Sequence, residues 1–324
     1  NHGGNLDRAK KSIEAAARAG ASAVKIQTYT PNTMTIDSNL PDFVVNKGLW
    51  AGKTLYELYA EAHTPFEWHE DLFNHAKKIG VTIFSTPFDE SAVDLLESLN
   101  TPAYKIASFE IIDIPLIEYV AKKNKPIFIS TGMASEDEVE NAVRVVRDTS
   151  DAEILLFHCI SSYPAVTRES NLNNLHWLKN KFGVQVGLSD HTTNNVAALT
   201  SIGMGAVAIE KHFKLDSQDC GPDSSFSLTA QQLGNLVDEC NQAWIAKGSN
   251  GLNRAASESQ NMVFRRSLYF VRDLKKGQII EEKDIRRIRP GYGLLPKYFD
   301  HVLGKKVTDD VKRGDPVSLE VISK

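Results

Sequence analysis

The chain is poor in the residues and runs that define several large classes of protein. Its 324 residues include three cysteines, Cys159, Cys220 and Cys240, with no CxxC pair. This argues against a disulfide framework or zinc ribbon and favours a reducing, cytoplasmic setting. No apolar run is long enough to cross a bilayer, so we expect no membrane contact. The absence of GxGxxG after a strand and of GxSxG weighs against a dinucleotide-binding sheet and a serine nucleophile.

Charge is unevenly divided along a chain whose net charge is −4. From Arg265 to the end there are 15 Lys/Arg and 9 Asp/Glu, which leaves 22 and 32 in the rest of the chain. These basic residues are interleaved with acids and lack an aromatic platform, so we expect no nucleic-acid partner. Docking against an acidic surface, or binding of an anionic substrate, is the interpretation that we favour.

Short, continuously apolar segments alternate with amphipathic ones as far as residue 247. Strands are predicted at 22–28, 81–88, 103–109, 126–132, 153–159, 184–190 and 206–213. Helices are predicted at 5–19, 65–79, 89–98, 115–123, 135–147, 171–180, 193–203 and 229–246, the second with Thr64 as N-cap. Strands without polar alternation indicate a parallel sheet that is covered on both faces.

Two architectures suit such a sheet, a doubly wound open sheet and a closed (β/α)8 barrel. The chain opens with the loop Asn1-His2-Gly3-Gly4, as it would if a first barrel strand lay upstream. We therefore predict an α/β fold, with a (β/α)8 TIM barrel over residues 1–247 whose first strand is missing from the sequence. A linker at 248–264 and a small β-rich domain at 265–324 follow. Residues 29–63 form an insertion of the kind that builds substrate walls.

Two lysines are embedded in predicted strands, Lys25 in VKIQ and Lys105 in YKIA. A buried ammonium is costly unless it meets an anion. With serine and threonine hydroxyls at neighbouring strand ends, the two lysines predict a pocket for an anionic substrate. The alternative is that each lysine pairs with a carboxylate such as Glu110 or Glu210.

Two histidines end consecutive predicted strands, His191 in GLSDH and His212 in EKHF. Carboxyl ends of neighbouring strands meet at one barrel face, so the imidazoles can share a divalent ion such as Mn²⁺, Zn²⁺ or Co²⁺. Two core histidines with satisfied hydrogen bonds are the alternative. We expect the adjacent carboxylates, Asp190 and Glu210, to orient the rings.

The motifs NHGG, VKIQT, STPF, STGM, GLSDH, EKHF, GPD and RPGYG, in this order, resemble the sialic acid synthases over essentially the whole chain. The resemblance implies condensation of phosphoenolpyruvate with an amino sugar to a nine-carbon 2-keto acid. It also implies that the final domain is an antifreeze-like (SAF) domain of β-clip type.

The insertion resembles the pseudaminic acid synthase branch, whose sugar is 2,4-diacetamido-2,4,6-trideoxy-L-altrose and whose products decorate bacterial flagella. Synthases of N-acetylneuraminate and legionaminate are the alternatives. Outside the family, a Schiff-base aldolase using Lys25 or Lys105, or a non-catalytic sugar-binding protein, remain as rivals.

The resemblance also implies roles for individual residues. His191 and His212 hold the metal, Mn²⁺ in the first place, with Mg²⁺ and Co²⁺ as alternatives. The residues implied to bind phosphoenolpyruvate are Lys25, Thr86, Lys105, Ser108, Ser130, Ser189 and Ser161, the last standing where neuraminate synthases have Asn. The residues implied to be catalytic or to contact the sugar are Glu110, Glu210, Asp223, Tyr163 and Arg289. Arg289 would reach into a partner's barrel, which implies a domain-swapped homodimer.

Overall fold

The structure, a computed structural model, describes residues 2–216 and 221–323. The chain divides into two compact units, Asn1–Gly248 and Ser249–Lys324, and each is described by itself. Cys220 lies outside the described residues. Among the described residues, no helix combines the length and the apolar character that a membrane crossing requires.

The first unit is built on a parallel sheet, with seven strands in its described part. The strands are β1 (Ala23–Thr28), β2 (Thr82–Pro87), β3 (Tyr104–Ile106), β4 (Ile127–Ser130), β5 (Ile154–Cys159), β6 (Gln185–Ser189) and β7 (Ile209–Glu210). Each strand pairs with the next along the chain, from β1 to β7. A doubly wound sheet must reverse its strand order at a switch point, and this one does not.

The sheet is curled, because side chains from its first and last strands meet. Lys25 Nζ of β1 lies 3.2 Å from Glu210 Oε1 of β7. The predicted TIM-barrel-like fold is confirmed in this form, with strands in chain order around a curved sheet.

Helices lie before β1, between successive strands and after β7, and two of them belong to the insertion after β1. The helices are α1 (Leu6–Arg18), α2 (Pro31–Met34), α3 (Leu55–Ala62), α4 (His69–Ile79), α5 (Glu90–Ser98), α6 (Ile114–Ala121), α7 (Glu136–Thr149), α8 (Asn174–Phe182), α9 (Val196–Gly203) and α10 (Ala230–Lys247). In α1 the Asn5 side chain accepts a hydrogen bond from Arg8 N, and Ala9, Ile13 and Ala16 form the buried stripe.

A row of phenylalanines crosses the inside of the curved sheet. The ring centroids of Phe84 and Phe128 are 5.4 Å apart, and those of Phe128 and Phe157 are 6.1 Å apart. Lys25 is the register partner of Phe84, and Lys105 that of Phe128. The two lysines therefore lie at the level of an aromatic layer.

The structure departs from the sequence prediction at some element ends. Thr64 does not cap the helix that follows it, because residues 66–68 form a 3₁₀ turn and α4 begins only at His69. The Thr64 hydroxyl instead lies 3.3 Å from His2 Nε2. The insertion carries two short helices, α2 and α3, and a bridge between Val44 and Thr54 that the sequence did not predict.

The second unit is small and β-rich. β8 (Ser267–Phe270) pairs antiparallel with β9 (Ile285–Ile288), and isolated bridges such as Leu274–Val311 and Val307–Ile322 extend the pairing. A short helix, α11 (Phe299–Val302), packs within the same unit. Its core consists of the buried residues Leu268, Phe270, Leu274, Ile280, Ile285, Val302, Val307, Val311, Val317 and Ile322. The predicted domain bounds stay predictions.

Candidate active site

Polar side chains gather where the strands of the first unit end, as expected for a barrel of this type. Glu210, the last residue of β7, is the centre of the group. Its Oε1 accepts hydrogen bonds from Lys25 Nζ at 3.2 Å and from Ser189 Oγ at 3.1 Å. Lys105 Nζ lies 3.8 Å from the same oxygen. One carboxylate is thus shared by two ammonium groups, and positive charge is in excess.

The ionisation of this group follows from its burial and its charges. Burial alone would raise the pKa of the Glu210 carboxyl, but Lys105 and Lys25 outweigh it and lower the pKa to about 2. Burial lowers the pKa of Lys105 to about 8, although Glu210 opposes the shift. The carboxylate is therefore charged at neutral pH, and Lys105 is a lysine whose proton is weakly held.

Each lysine was predicted to meet either an anionic ligand or a carboxylate, and the structure shows the carboxylate as the partner of Lys25. Lys105 is 1% exposed and is held differently, since its Nζ donates to Ser130 Oγ at 2.6 Å and to the Ile106 carbonyl at 3.3 Å. The structure therefore brings Lys25, Lys105, Ser130, Ser189 and Glu210 together.

Two further hydroxyls, those of Thr86 and Ser108, lie near the ends of β2 and β3. Thr86 is fully buried, and its Oγ1 has no hydrogen-bond partner in the described part of the chain. Ser108 Oγ accepts a hydrogen bond from Gly132 N at 3.2 Å. A Cβ at Gly132 would stand 2.2 Å from Ser161 Oγ and 2.7 Å from Ser108 Oγ. A glycine is therefore required where these two serines approach the backbone.

The two histidines lie together, with ring centroids 5.3 Å apart. Nδ1 of His191 is 2.9 Å from the Ile160 carbonyl, and Nδ1 of His212 is 3.3 Å from Asp223 Oδ2. A carbonyl can only accept, so Nδ1 of His191 carries a proton, and in the neutral ring Nε2 would then be the acceptor. In each ring an oxygen holds Nδ1, which is how metal-binding histidines are oriented.

The expectation that Asp190 and Glu210 orient the two rings by direct contact is wrong. Among the described residues, neither carboxylate contacts a ring nitrogen of His191 or His212. Asp190 Oδ2 lies 2.7 Å from Lys211 Nζ, and Glu210 faces Lys25 and Lys105. The orienting groups are the Ile160 carbonyl and Asp223. The sequence could not predict the role of the Ile160 carbonyl, because every residue has a backbone carbonyl.

Glu110 follows β3 in a 3₁₀ turn, Ser108–Ile112. Its Oε2 is buried and has no hydrogen-bond partner among the described residues. Burial raises its pKa to about 7, although Lys105 opposes the shift. A carboxyl whose pKa lies this close to neutral pH can give or take a proton in a reaction.

Aromatic rings form a wall beside the histidines. The Tyr163 ring centroid is 4.5 Å from that of His191, and the Phe226 centroid is 4.9 Å from that of His212. Trp50, from the insertion, stands 6.1 Å from Tyr163 between centroids. Its Nε1 donates to the Pro222 carbonyl at 3.1 Å, next to Asp223.

Arg289 belongs to the second unit, where it is exposed directly after β9. Of the residues implied by the resemblance, Arg289 alone belongs to the second unit. The others belong to the first unit, at its strand ends and in the loops beside them.

Comparisons with known proteins identify the family to which the chain is similar. A model of the NeuB family matches residues 12–251, and a SAF domain model matches residues 265–321. The pseudaminic acid synthase of Campylobacter jejuni is 42% identical over 97% of this chain and 92% of its own length. That of Helicobacter pylori is 40% identical over 100% and 96%.

Among solved structures, the N-acetylneuraminic acid synthetase of Leptospira borgpetersenii, crystallised with citrate, superposes with a TM-score of 0.72. It is 30% identical, and the match covers 81% of this chain and 87% of that one. From the family match over most of its length, together with this sequence and structural likeness, the chain belongs to the NeuB family and carries a SAF domain at its C-terminal end.

Proposed function

We propose that the chain is a pseudaminic acid synthase. It would condense phosphoenolpyruvate, 2,4-diacetamido-2,4,6-trideoxy-L-altrose and water to pseudaminic acid and inorganic phosphate. The single observation that carries the proposal is the juxtaposition, at one group of strand ends, of two lysines with a histidine pair. The branch is supported by relatives of that activity at 42% and 40% identity.

Phosphoenolpyruvate would bind at the lysines. Lys25 and Thr86 would take its carboxylate, and the unpartnered Thr86 hydroxyl is suited to donate to it. The groups proposed for the phosphate are Lys105, Ser108, Ser130, Ser189 and Ser161. Charge-assisted hydrogen bonds from ammonium groups and hydroxyls would fix the orientation of such an anion and stabilise the departing phosphate.

His191 and His212 would hold a divalent metal through their Nε2 atoms. The residues fit this use, because each ring has its Nδ1 engaged by an oxygen. No set of three or more His, Cys, Asp or Glu side chains suited to a metal occurs within residues 2–216 and 221–323, so water and substrate would complete the ligands. A metal there supplies Lewis acidity for the sugar aldehyde, with Mn²⁺ proposed first.

The chemistry forms one carbon–carbon bond and breaks one carbon–oxygen bond. C3 of phosphoenolpyruvate attacks the aldehyde carbon, whose oxygen takes a proton and becomes a hydroxyl. Water adds to C2 and loses a proton, and the tetrahedral intermediate then expels phosphate by cleavage of the C2–O bond. Glu110, with its pKa of about 7, is suited to move a proton in this sequence.

The sugar would lie between the histidines and the aromatic wall. Tyr163 and Asp223 are the proposed contacts from the first unit, and Trp50 would close the far side. Arg289 would contact the sugar's acyl group in a partner's site, in a domain-swapped homodimer. The use of phosphoenolpyruvate, an intermediate of central metabolism, leads us to propose a cytoplasmic location.

The deciding experiment is mass spectrometry of the products formed from phosphoenolpyruvate with either the diacetamido-trideoxy-altrose or N-acetylmannosamine. We expect pseudaminic acid and phosphate from the first sugar in the presence of Mn²⁺, and no product with chelator or with His191→Ala. Product from N-acetylmannosamine alone would overturn the branch assignment.

One observation calls for a control experiment on the Schiff-base aldolase alternative. Burial lowers the pKa of Lys105 to about 8, as in lysines that form Schiff bases. Borohydride added with substrate should leave the mass of the protein unchanged, and a trapped adduct on Lys105 would favour the aldolase.

A further inference from the structure

Lys211, which the reaction above does not use, ties together the chain segments that carry the two histidines. Its Nζ lies 2.7 Å from Asp190 Oδ2 and donates to the carbonyls of Thr192 at 2.6 Å and Asn194 at 3.4 Å. The side chains of Lys211 and Asp190 are both 2% exposed. The other carboxylate oxygen, Asp190 Oδ1, accepts from Thr192 N at 2.9 Å.

The position of these contacts in the chain is specific. Asp190 directly precedes His191, and Lys211 directly precedes His212. The oxygens that contact Lys211 lie on both sides of His191, one before it and two after it. The ammonium group of Lys211, the residue next to His212, thus holds the backbone on both sides of His191.

The ion pair and the imidazoles occupy different sides of these segments. Asp190 and Lys211 lie near α10, since the pKa of its Cys240 thiol is raised by burial and Glu239, and further by Asp190, while Lys211 opposes the shift. His191 contacts Cys159, Ile160 and Tyr163 on the other side. Among the described residues, Lys211 forms its ion pair and hydrogen bonds with Asp190, Thr192 and Asn194, and none with the lysine group or the aromatic wall.

We propose that Lys211 and Asp190 are positioning residues that set the separation and tautomer of the His191–His212 pair. This inference rests on the proposed metal-dependent function. Its physical basis is that a buried ammonium with a carboxylate and two carbonyls has one favourable geometry, and any displacement of 190–194 leaves charge or carbonyls unpaired.

The test compares the double variant D190N/K211M, which removes both buried charges, with Lys211→Arg, which keeps the cation. Co²⁺ affinity is measured by absorbance titration, and the tautomer of His191 by NMR of the ¹⁵N-histidine-labelled protein, assigned with His191→Gln. Lys123→Met is the control, because Lys123 also pairs with a carboxylate, Asp94 at 3.1 Å, at the surface between helices.

We expect the double variant to remain folded, to bind Co²⁺ at least tenfold more weakly and to show His191 in mixed tautomers. Lys211→Arg, which keeps a cation at this position, should lose less Co²⁺ affinity than the double variant, and Lys123→Met should match the unsubstituted protein. If the double variant does not fold, Asp190→Asn alone, which keeps both carbonyl contacts, should show the same direction.

A folded double variant with unchanged Co²⁺ affinity and a single Nδ1–H tautomer would overturn the proposal. The failure of the proposed function has a different signature, since the unsubstituted protein would then bind no Co²⁺. The tautomer measurement would still decide the role of Lys211 in that case.

Discussion

Lys25 Nζ and Glu210 Oε1 lie 3.2 Å apart, and this contact joins the first and last strands of the parallel sheet in the described part of the first unit. Because Lys105 also faces Glu210, the carboxylate offsets two ammonium charges at once. The relationship makes Glu210 both a structural and an electrostatic element of the site.

Glu210→Gln should separate these two contributions. With the carboxylate gone, two ammonium groups face each other uncompensated, and we expect the free energy of unfolding to fall by about 3 kcal/mol. The same change frees both cations for an added anion. Inorganic phosphate should therefore raise the melting temperature of the variant more than that of the unsubstituted protein, as measured by thermal denaturation with and without phosphate. Equal phosphate shifts in the two proteins would contradict the anion site.

Glu110 should make stability depend on pH. Its pKa is raised by burial from 4.5 to about 7, so the folded state keeps a proton that the unfolded state loses between these values. Stability from this group is present below pH 4.5 and is lost as pH rises through 7, by up to about 3 kcal/mol. Glu110→Gln should remove that loss, so the variant should gain on the unsubstituted protein as pH rises from 5 to 8 in urea denaturation. A pH-independent difference would refute the raised pKa.

His69 provides a second, opposite pH effect. It is fully buried, with Nε2 2.8 Å from Thr28 Oγ1 and Nδ1 3.0 Å from the Pro65 carbonyl. Burial lowers its pKa, so the unfolded state binds a proton more readily than the folded state. Stability from His69 is present above its unfolded pKa of about 6.5 and declines as pH falls below it. His69→Gln should flatten the stability profile between pH 5 and 7, and an unchanged slope in denaturant titrations would count against this account.

Trp50 should control access to the sugar side without being needed for the metal. Trp50→Phe keeps a ring near Tyr163 but removes the hydrogen bond to the Pro222 carbonyl, whereas Trp50→Ala removes both. We expect KM for the sugar to rise about tenfold in the alanine variant and less in the phenylalanine variant, with KM for phosphoenolpyruvate unchanged. Initial rates with each substrate varied in turn give both constants. A rise confined to phosphoenolpyruvate would place Trp50 at the wrong substrate.

Gly132→Ala should disrupt the anion pocket. The added Cβ would stand 2.2 Å from Ser161 Oγ and 2.7 Å from Ser108 Oγ, so at least one serine must move. We expect the free energy of unfolding to fall by about 1–3 kcal/mol, and stabilisation by phosphate to weaken. The matched control is Gly203→Ala at the end of α9, where a Cβ would meet nothing within 4 Å. This control substitution should be neutral or stabilising by about 0.5–1 kcal/mol. Equal effects of the two substitutions in thermal denaturation would contradict a steric clash between the added Cβ at Gly132 and the two serines.

The strands and their order followed from the sequence because both faces of the sheet are covered. Apolar runs such as the one containing Leu156 and the one containing Val186 needed no alternation to be recognised. The grouping of Lys25, Lys105, His191 and His212 also followed, since carboxyl ends of parallel strands share one face of the sheet.

The sequence could not predict which acidic and basic side chains pair with each other. Asp190 follows the last residue of β6 and Glu210 is the last residue of β7, yet Asp190 pairs with Lys211 and Glu210 pairs with Lys25. Side-chain direction at a strand end depends on where the strand stops, and β7 stops at Glu210. The contact of Trp50 with the Pro222 carbonyl joins residues that are far apart in the chain, and no local sequence pattern predicts it.

The insertion after β1 forms backbone hydrogen bonds within itself. Val45 N donates to the Lys53 carbonyl and Gly52 N to the Val45 carbonyl, which makes a small ribbon with Trp50 near its tip. The proposed sugar contact of Trp50 therefore lies in an insertion between β1 and α4, whereas the residues proposed for phosphoenolpyruvate and the metal lie at the strand ends. Exchange of this insertion for that of a relative should therefore change the sugar that is accepted more than the binding of phosphoenolpyruvate.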